Sequence, residues 1–199
     1  MATKPAGTTA SPRSARERLL AAADELFYEE GIHTVGIDRV IERAGVAKAT
    51  LYSSFGNKEG LIRAYLQARL EARQARITRA LEGVESPRDR LLAVFDSLGR
   101  TVAEPGFHGC AFMNASAESP PGSVAEKISD TSRAWTRALF TDLAREAGAR
   151  DPEQLARQLI QLYDGALVSA RMDRDAGAAA TAKVTAAAVI DVATAPSPR

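Results

Sequence analysis

The sequence holds one cysteine, two histidines and one tryptophan in 199 residues. A single cysteine excludes an intramolecular disulfide and fits a reducing, cytoplasmic setting. With so few soft ligands, no Cys/His metal cluster and no metal cofactor is expected. Charge of either sign is not in excess: 26 Lys and Arg stand against 25 Asp and Glu, a formal net charge of +1. Bulk charge therefore gives no pull toward nucleic acid, and any such binding must come from a local patch. The chain has neither a Walker-type phosphate loop nor a nucleophile elbow, and its acidic residues scatter over helix faces as solvated surfaces do. It reads as a non-enzyme without cofactors. Long apolar runs are missing too: Ala178 to Ala195 is interrupted by Thr181, Lys183, Thr185 and Asp191 with no basic flank, which argues against a membrane span. No repeat of fixed period and few β-branched runs of strand type occur, so the fold class is all-α.

Hydrophobic residues make up 45% of the chain, enough to bury a real core. The chain divides by its punctuation. Residues 1–12 (MATKPAGTTASP) are small, polar and proline-containing, without the apolar core of a secretory signal, and read as a flexible tail. A first helix is expected from about Ser14 to Glu30, buried through Leu19, Ala22, Ala23, Leu26 and Phe27 and stopped by Gly31. Its start is basic, with Arg13, Arg16 and Arg18 within reach of phosphates.

The densest signal lies between Ile37 and Phe55. Ile37, Val40, Ile41 and Ala44 recur at the i, i+3, i+4, i+7 spacing of one helical face. Gly45 then takes the position where a left-handed residue ends a helix, and Val46 folds back on that helix. In the next helix Leu51 and Phe55 form an apolar back, leaving Lys48, Ala49, Thr50, Ser53 and Ser54 outside. A small, polar front on such a back suits a helix laid in the major groove of DNA, and equally an ordinary pair of core helices. Asn57 is a good cap for a long helix from Lys58 to about Leu81. A lysine in a first helical turn opposes the helix dipole by roughly 0.3–1 kcal/mol, and a phosphate held by free N–H groups would account for it.

Downstream, Ser86-Pro87-Arg88-Asp89 opens a helix buried through Leu91, Leu92, Phe95 and Leu98 and running to near Pro105-Gly106. Phe107 to Glu118 reads as a shorter helix. Ser123 to Glu126 is a capping box for a helix with Ile128, Trp135, Leu139 and Leu143 as its stripe. Asp151-Pro152 starts another, buried through Leu155, Leu159, Leu162 and Ala166. The last helix follows Gly177 and is too apolar around its circumference for a lone surface helix. Two such C-terminal helices suggest a homodimer closed by a four-helix bundle, which would present two reading helices to half-sites about 34 Å apart; the alternative is a monomer whose own middle helices cover this surface.

The run G31-I-H-T-V-G-I-D-R-V-I-E-R-A-G-V-A-K-A-T-L-Y-S-S-F-G-N-K-E-G-L61 resembles the DNA-binding head of the TetR family of bacterial transcriptional regulators. The match extends over about Arg13 to Leu66. The resemblance implies a three-helix helix-turn-helix head and a C-terminal helical ligand-binding and dimerisation domain. It further implies a homodimeric repressor that binds a double-stranded DNA operator and leaves it when a small-molecule effector binds. The corresponding division is a tail at 1–12, a DNA-binding domain at 13–57 with the helix-turn-helix at 36–55, a connecting helix at 58–84, an effector and dimerisation domain at 85–194, and a tail at 195–199. By the same resemblance Thr50, Tyr52 and Lys58 meet phosphates, and Lys48, Ala49 and Ser53 lie nearest base edges. Ser54 stands where the family often carries histidine or tyrosine. Ala47 replaces a frequent serine cap, and Gly36 a common threonine or serine.

For an effector pocket the middle of the chain offers Phe95, Phe112, Met113, Trp135 and Tyr163, with Asn114 and Glu118 four residues apart as polar groups. Cys110 near His108 invites a thiol-sensor reading, although a lone cysteine is more often a small buried hydrophobe. The rival to a DNA-binding regulator is an all-helical protein-interaction adaptor, which explains the apolar C-terminal helices but not Lys58 or the turn at Gly45.

Overall fold

A capping box opens the first helix: Ser14 Oγ accepts from the Glu17 N–H at 3.2 Å and Glu17 accepts from the Ser14 N–H at 2.7 Å. Such a cap stabilises a helix by about 1 kcal/mol. The computed structural model describes residues 13–196. The tail expected at 1–12 and the last three residues of the one expected at 195–199 lie outside the described residues. The described residues form helices only: α1 (Ala15–Glu30), α2 (Ile37–Ala44), α3 (Lys48–Phe55), α4 (Lys58–Leu81), α5 (Pro87–Val102), α6 (Ala111–Glu118), α7 (Val124–Glu146), α8 (Pro152–Met172) and α9 (Ala178–Thr194). None of them is long and apolar enough to cross a membrane.

Two apolar cores organise these helices. The first joins α1, α2, α3 and the N-terminal half of α4 through Leu19, Phe27, Val40, Leu51, Leu61, Tyr65 and Leu66. It runs past residue 57, and it takes in Ala111, Phe112 and Ala115 of α6 and Ala125 of α7. The second joins α5, α7, α8 and α9, with Ile77 from the far end of α4. At its centre Phe95, Phe140 and Tyr163 form a trio with ring centroids 6.0 to 6.1 Å apart. Thus α4 is one continuous helix whose two halves belong to different cores.

The chain departs from the sequence reading at four places. Helix α5 ends at Val102, short of Pro105-Gly106. Helix α6 begins at Ala111 and not at Phe107, because backbone groups of 108 and 109 are used elsewhere: Tyr28 Oη accepts from the His108 N–H at 2.9 Å and donates to the Gly109 carbonyl at 2.8 Å. At the start of α7 Ser123 caps the Glu126 N–H, but Glu126 reaches the Gly122 N–H and leaves the box half-made. Ile128, Trp135 and Leu139 sit at the edge of the packing, and the buried face of α7 carries Ser132 and Thr136 in their place. These two hydroxyls are buried because Arg73 of α4 donates to both.

Candidate nucleic-acid interface and ligand cavity

The turn between α2 and α3 is set by Gly45, at φ 62° and ψ 47° in the left-handed region. Its N–H donates to the Glu42 carbonyl at 3.1 Å and the Val46 N–H donates to the Ile41 carbonyl at 3.4 Å, so α2 is closed off in under one turn. Arg18 braces the same end from α1, its Nε donating to the Ala44 carbonyl at 3.2 Å. The N-terminus of α3 is less well satisfied, since Ala47 offers no side-chain cap. Leu51 is fully buried, whereas Phe55 is half-buried beneath the Arg16 guanidinium, 5.0 Å from the ring centroid. Of the three N-terminal arginines expected at phosphates, Arg18 is therefore engaged in holding the head together and Arg16 in stacking.

Outward, α3 presents Lys48, Ala49, Tyr52 and Ser53, with Tyr52 45% exposed, while Thr50 is half-buried. Ser53 Oγ donates to the Thr50 carbonyl at 3.1 Å. Ser54 turns away from this front into a crevice with Arg16, Leu20 and Arg63. Lys48 pairs with Asp38 of α2 at 2.9 Å, and that hydrogen bond holds its ammonium above the usual lysine value. Lys58 packs sideways and donates from Nζ to the His33 carbonyl at 3.3 Å. Partial burial pulls its ammonium below the usual value, with Glu118 opposing.

The seven residues expected around a ligand do not converge. Phe112 and Tyr163 line a cavity of about 660 Å³ between α1, α4, α8 and the loop before α6. Met113 lines a neighbouring cavity of about 450 Å³, which also borders Phe112. Phe95 is locked in the aromatic trio and Trp135 lies over the second core. Asn114 donates from Nδ2 to the His108 carbonyl at 3.0 Å and so holds the loop. Glu118 reaches across to the head, where its carboxylate accepts from the His33 N–H at 3.2 Å. Cys110 is half-buried and borders both cavities.

Three cavity residues carry no mark in the apolar pattern of the sequence: Arg69, Arg73 and Arg76, all lining the larger cavity from one face of α4. Their spacing of i, i+4, i+7 is the signal that could have found them, but on a long charged helix it reads as a solvated face. Arg69 pairs with Asp24 at 2.6 and 3.0 Å and stacks 3.8 Å over the Tyr28 ring. Burial raises the Tyr28 hydroxyl above the usual tyrosine value, opposed by its bond from His108.

A closed helical turn, a short helix exposed along one side and a separate helical core, with a cavity where that core meets the head, are the features of a helix-turn-helix regulator of transcription. Residues 19–65 match the family model for bacterial regulatory proteins of the tetR family, and residues 87–186 match the tetracyclin repressor-like C-terminal domain. The chain belongs to the TetR family. It is 31% identical over 139 residues to the HTH-type transcriptional activator FasR of Mycolicibacterium smegmatis, covering 69% of this chain and 63% of that protein. It is 28% identical over 171 residues to the HTH-type transcriptional repressor NemR of Escherichia coli, covering 80% of this chain and 85% of that protein. Among solved structures, a TetR-family transcriptional regulator from Streptomyces coelicolor superposes with a TM-score of 0.87 at 34% identity, covering 91% of this chain and 96% of that one.

Proposed function

We propose that the protein is a homodimeric, cytoplasmic repressor that binds a palindromic operator and is released from it by a small molecule in the larger cavity, where the head meets the C-terminal helices. The observation that carries this reading is the pairing of an exposed α3 front with a cavity whose wall includes α1 of the same head. Tyr28, Asp24 and Glu25 of α1 line that cavity, and Tyr28 is bonded to the loop before α6. A ligand that favours one spacing between this loop and α1 biases the orientation of the head, and hence the fraction of dimer able to span two half-sites. The repressor sign follows the usual mode of the family; the relatives named above include one activator and one repressor.

On DNA, Thr50, Tyr52 and Lys58 serve phosphates, and Lys48, Ala49 and Ser53 face base edges, with Ser54 behind them. Lys48 must exchange Asp38 for the groove, so its contribution is selective and not merely attractive. Lys48→Ala is expected to narrow the ratio of operator to scrambled-DNA affinity by about tenfold, the lower range for one base contact. An unchanged ratio in competition binding would remove Lys48 from the reading face.

The function itself is tested by titrating purified protein against DNA at several salt concentrations. The reading expects a preference for a palindrome over its scrambled version and a log–log salt slope of several units, reflecting the phosphates neutralised. Absence of DNA binding even at low salt would refute it.

A further inference from the structure

The two cavities share Arg73, Cys110, Phe112 and Leu167, which places Arg73 in the wall between them. Its neighbours on α4 are not equivalent. Arg69 is matched by Asp24. Arg73 meets only neutral partners: Ser132 Oγ at 3.3 Å, Thr136 Oγ1 at 3.1 Å, and the faces of Tyr163 and Trp135 at 5.4 and 5.9 Å. The Nε–H groups of Arg73 and Arg76 are buried and have no acceptor. Among the described residues neither guanidinium forms an ion pair. Both side chains are half-buried; a cation drawn partly out of water without a counter-ion is poorly compensated, and guanidinium N–H groups are geometrically matched to an oxyanion. Of the carboxylates around the larger cavity, Asp24 belongs to Arg69 and Glu25 to Arg43. Glu29 and Glu104 are exposed at its rim, where they disfavour entry of a dianion.

We propose that the larger cavity takes a monoanionic carboxylate on an apolar body. The carboxylate accepts from the guanidinium groups of Arg73 and Arg76, which line the cavity without a carboxylate partner, and the body packs toward Leu98, Phe107, Phe112 and Leu167. A carboxylate has acceptor sites for both guanidinium groups at once, and the cavity volume of about 660 Å³ suits a small organic molecule. This assignment rests on the effector reading above and names its chemical class.

The test is calorimetric titration of the full chain with octanoate, decanoate, benzoate and cinnamate, each beside its alcohol, together with octylamine and octyl phosphate. At least one carboxylate is expected to bind tenfold or more tightly than its own alcohol. Arg76→Gln is expected to bring that carboxylate down to the level of the alcohol while leaving the alcohol unchanged. Arg73→Gln should act in the same way. Arg76 has no hydroxyl partner of its own to lose, so it decides the matter if the Arg73 variant does not fold. Equal binding of every acid and its alcohol, tighter binding of octyl phosphate than of octanoate, or an indifferent Arg76→Gln would overturn the assignment. A parallel DNA titration separates the two claims. A bound carboxylate that leaves operator affinity unchanged sinks release by effector and leaves the anion site standing, whereas normal operator binding with no preference for acids sinks the anion site alone.

Discussion

Gly60→Ala is expected to destabilise the head by about 1–3 kcal/mol, and to cut operator affinity further than that loss of stability explains. Gly60 lies in the first turn of α4, where its N–H donates to Asn57 Oδ1 at 2.8 Å. A Cβ placed on it would stand 1.9 Å from the carbonyl oxygen of Phe55. That oxygen belongs to the backbone at the last residue of α3, so no side-chain rotation relieves the clash. Relief requires α3 to shift against α4, and α3 is the helix proposed to read DNA. Gly99→Ala provides the contrast: it too is a helical glycine, but the nearest atom to its added Cβ is 3.7 Å away on Ala179. There the usual helix preference applies, and stability should rise by about 0.5–1 kcal/mol. Denaturant unfolding of both variants beside DNA titrations would settle the comparison. A Gly60→Ala protein with wild-type stability and affinity would mean that the α3–α4 turn is looser than its geometry implies.

A larger loss is expected from the outer face of the two C-terminal helices. Val168 and Met172 of α8 are 45% and 75% exposed, and Val184 and Val192 of α9 are 74% and 69% exposed. Gly165, with open space beside it, continues the α8 row and permits close approach of another helix. The double variant Val168→Glu/Met172→Glu is expected to halve the sedimenting mass and to lower operator affinity by about 10²–10⁴, the gain that linking two binding modules provides. Because these side chains lie outside both cores, helical content should change little, while melting falls only by what the lost subunit contact contributed. A charged variant that stays dimeric, or a parent protein already monomeric, would displace the proposed interface.

Much of this architecture was readable before any coordinate. The α2–α3 turn followed from one glycine between two apolar stripes, and Asn57, Ser86, Ser123 and Asp151 each cap the helix expected of them. Local rules suffice where a backbone group and its partner lie within one turn of each other. Reading failed where the partner is distant. The loop at 107–110 looks helical in composition, yet Tyr28, some 80 residues earlier, holds its backbone groups. Ser132 and Thr136 look like a polar interruption in a stripe until Arg73 is placed beside them. Asn114 and Glu118 share a helical face as their spacing requires, but that face looks to the loop and to the head, not to the cavity. Among the residues expected to meet DNA, Ala49 and Ser53 are exposed and Leu51 behind them is buried, as periodicity implies, whereas the inward turn of Ser54 depends on where α1 and α4 lie.

The extension of the first core over Ala111, Phe112 and Ala115 bears on how such a protein can be taken apart. A fragment cut at residue 57 would lose Leu61, Tyr65 and Leu66 from its interior, and one cut at the end of α4 would still lack the α6 residues that close over them. Exchange of sensor halves between related regulators therefore has no clean joint in this chain. The seam follows side chains that are remote in sequence, and a working chimera has to carry α6 along with the head it covers.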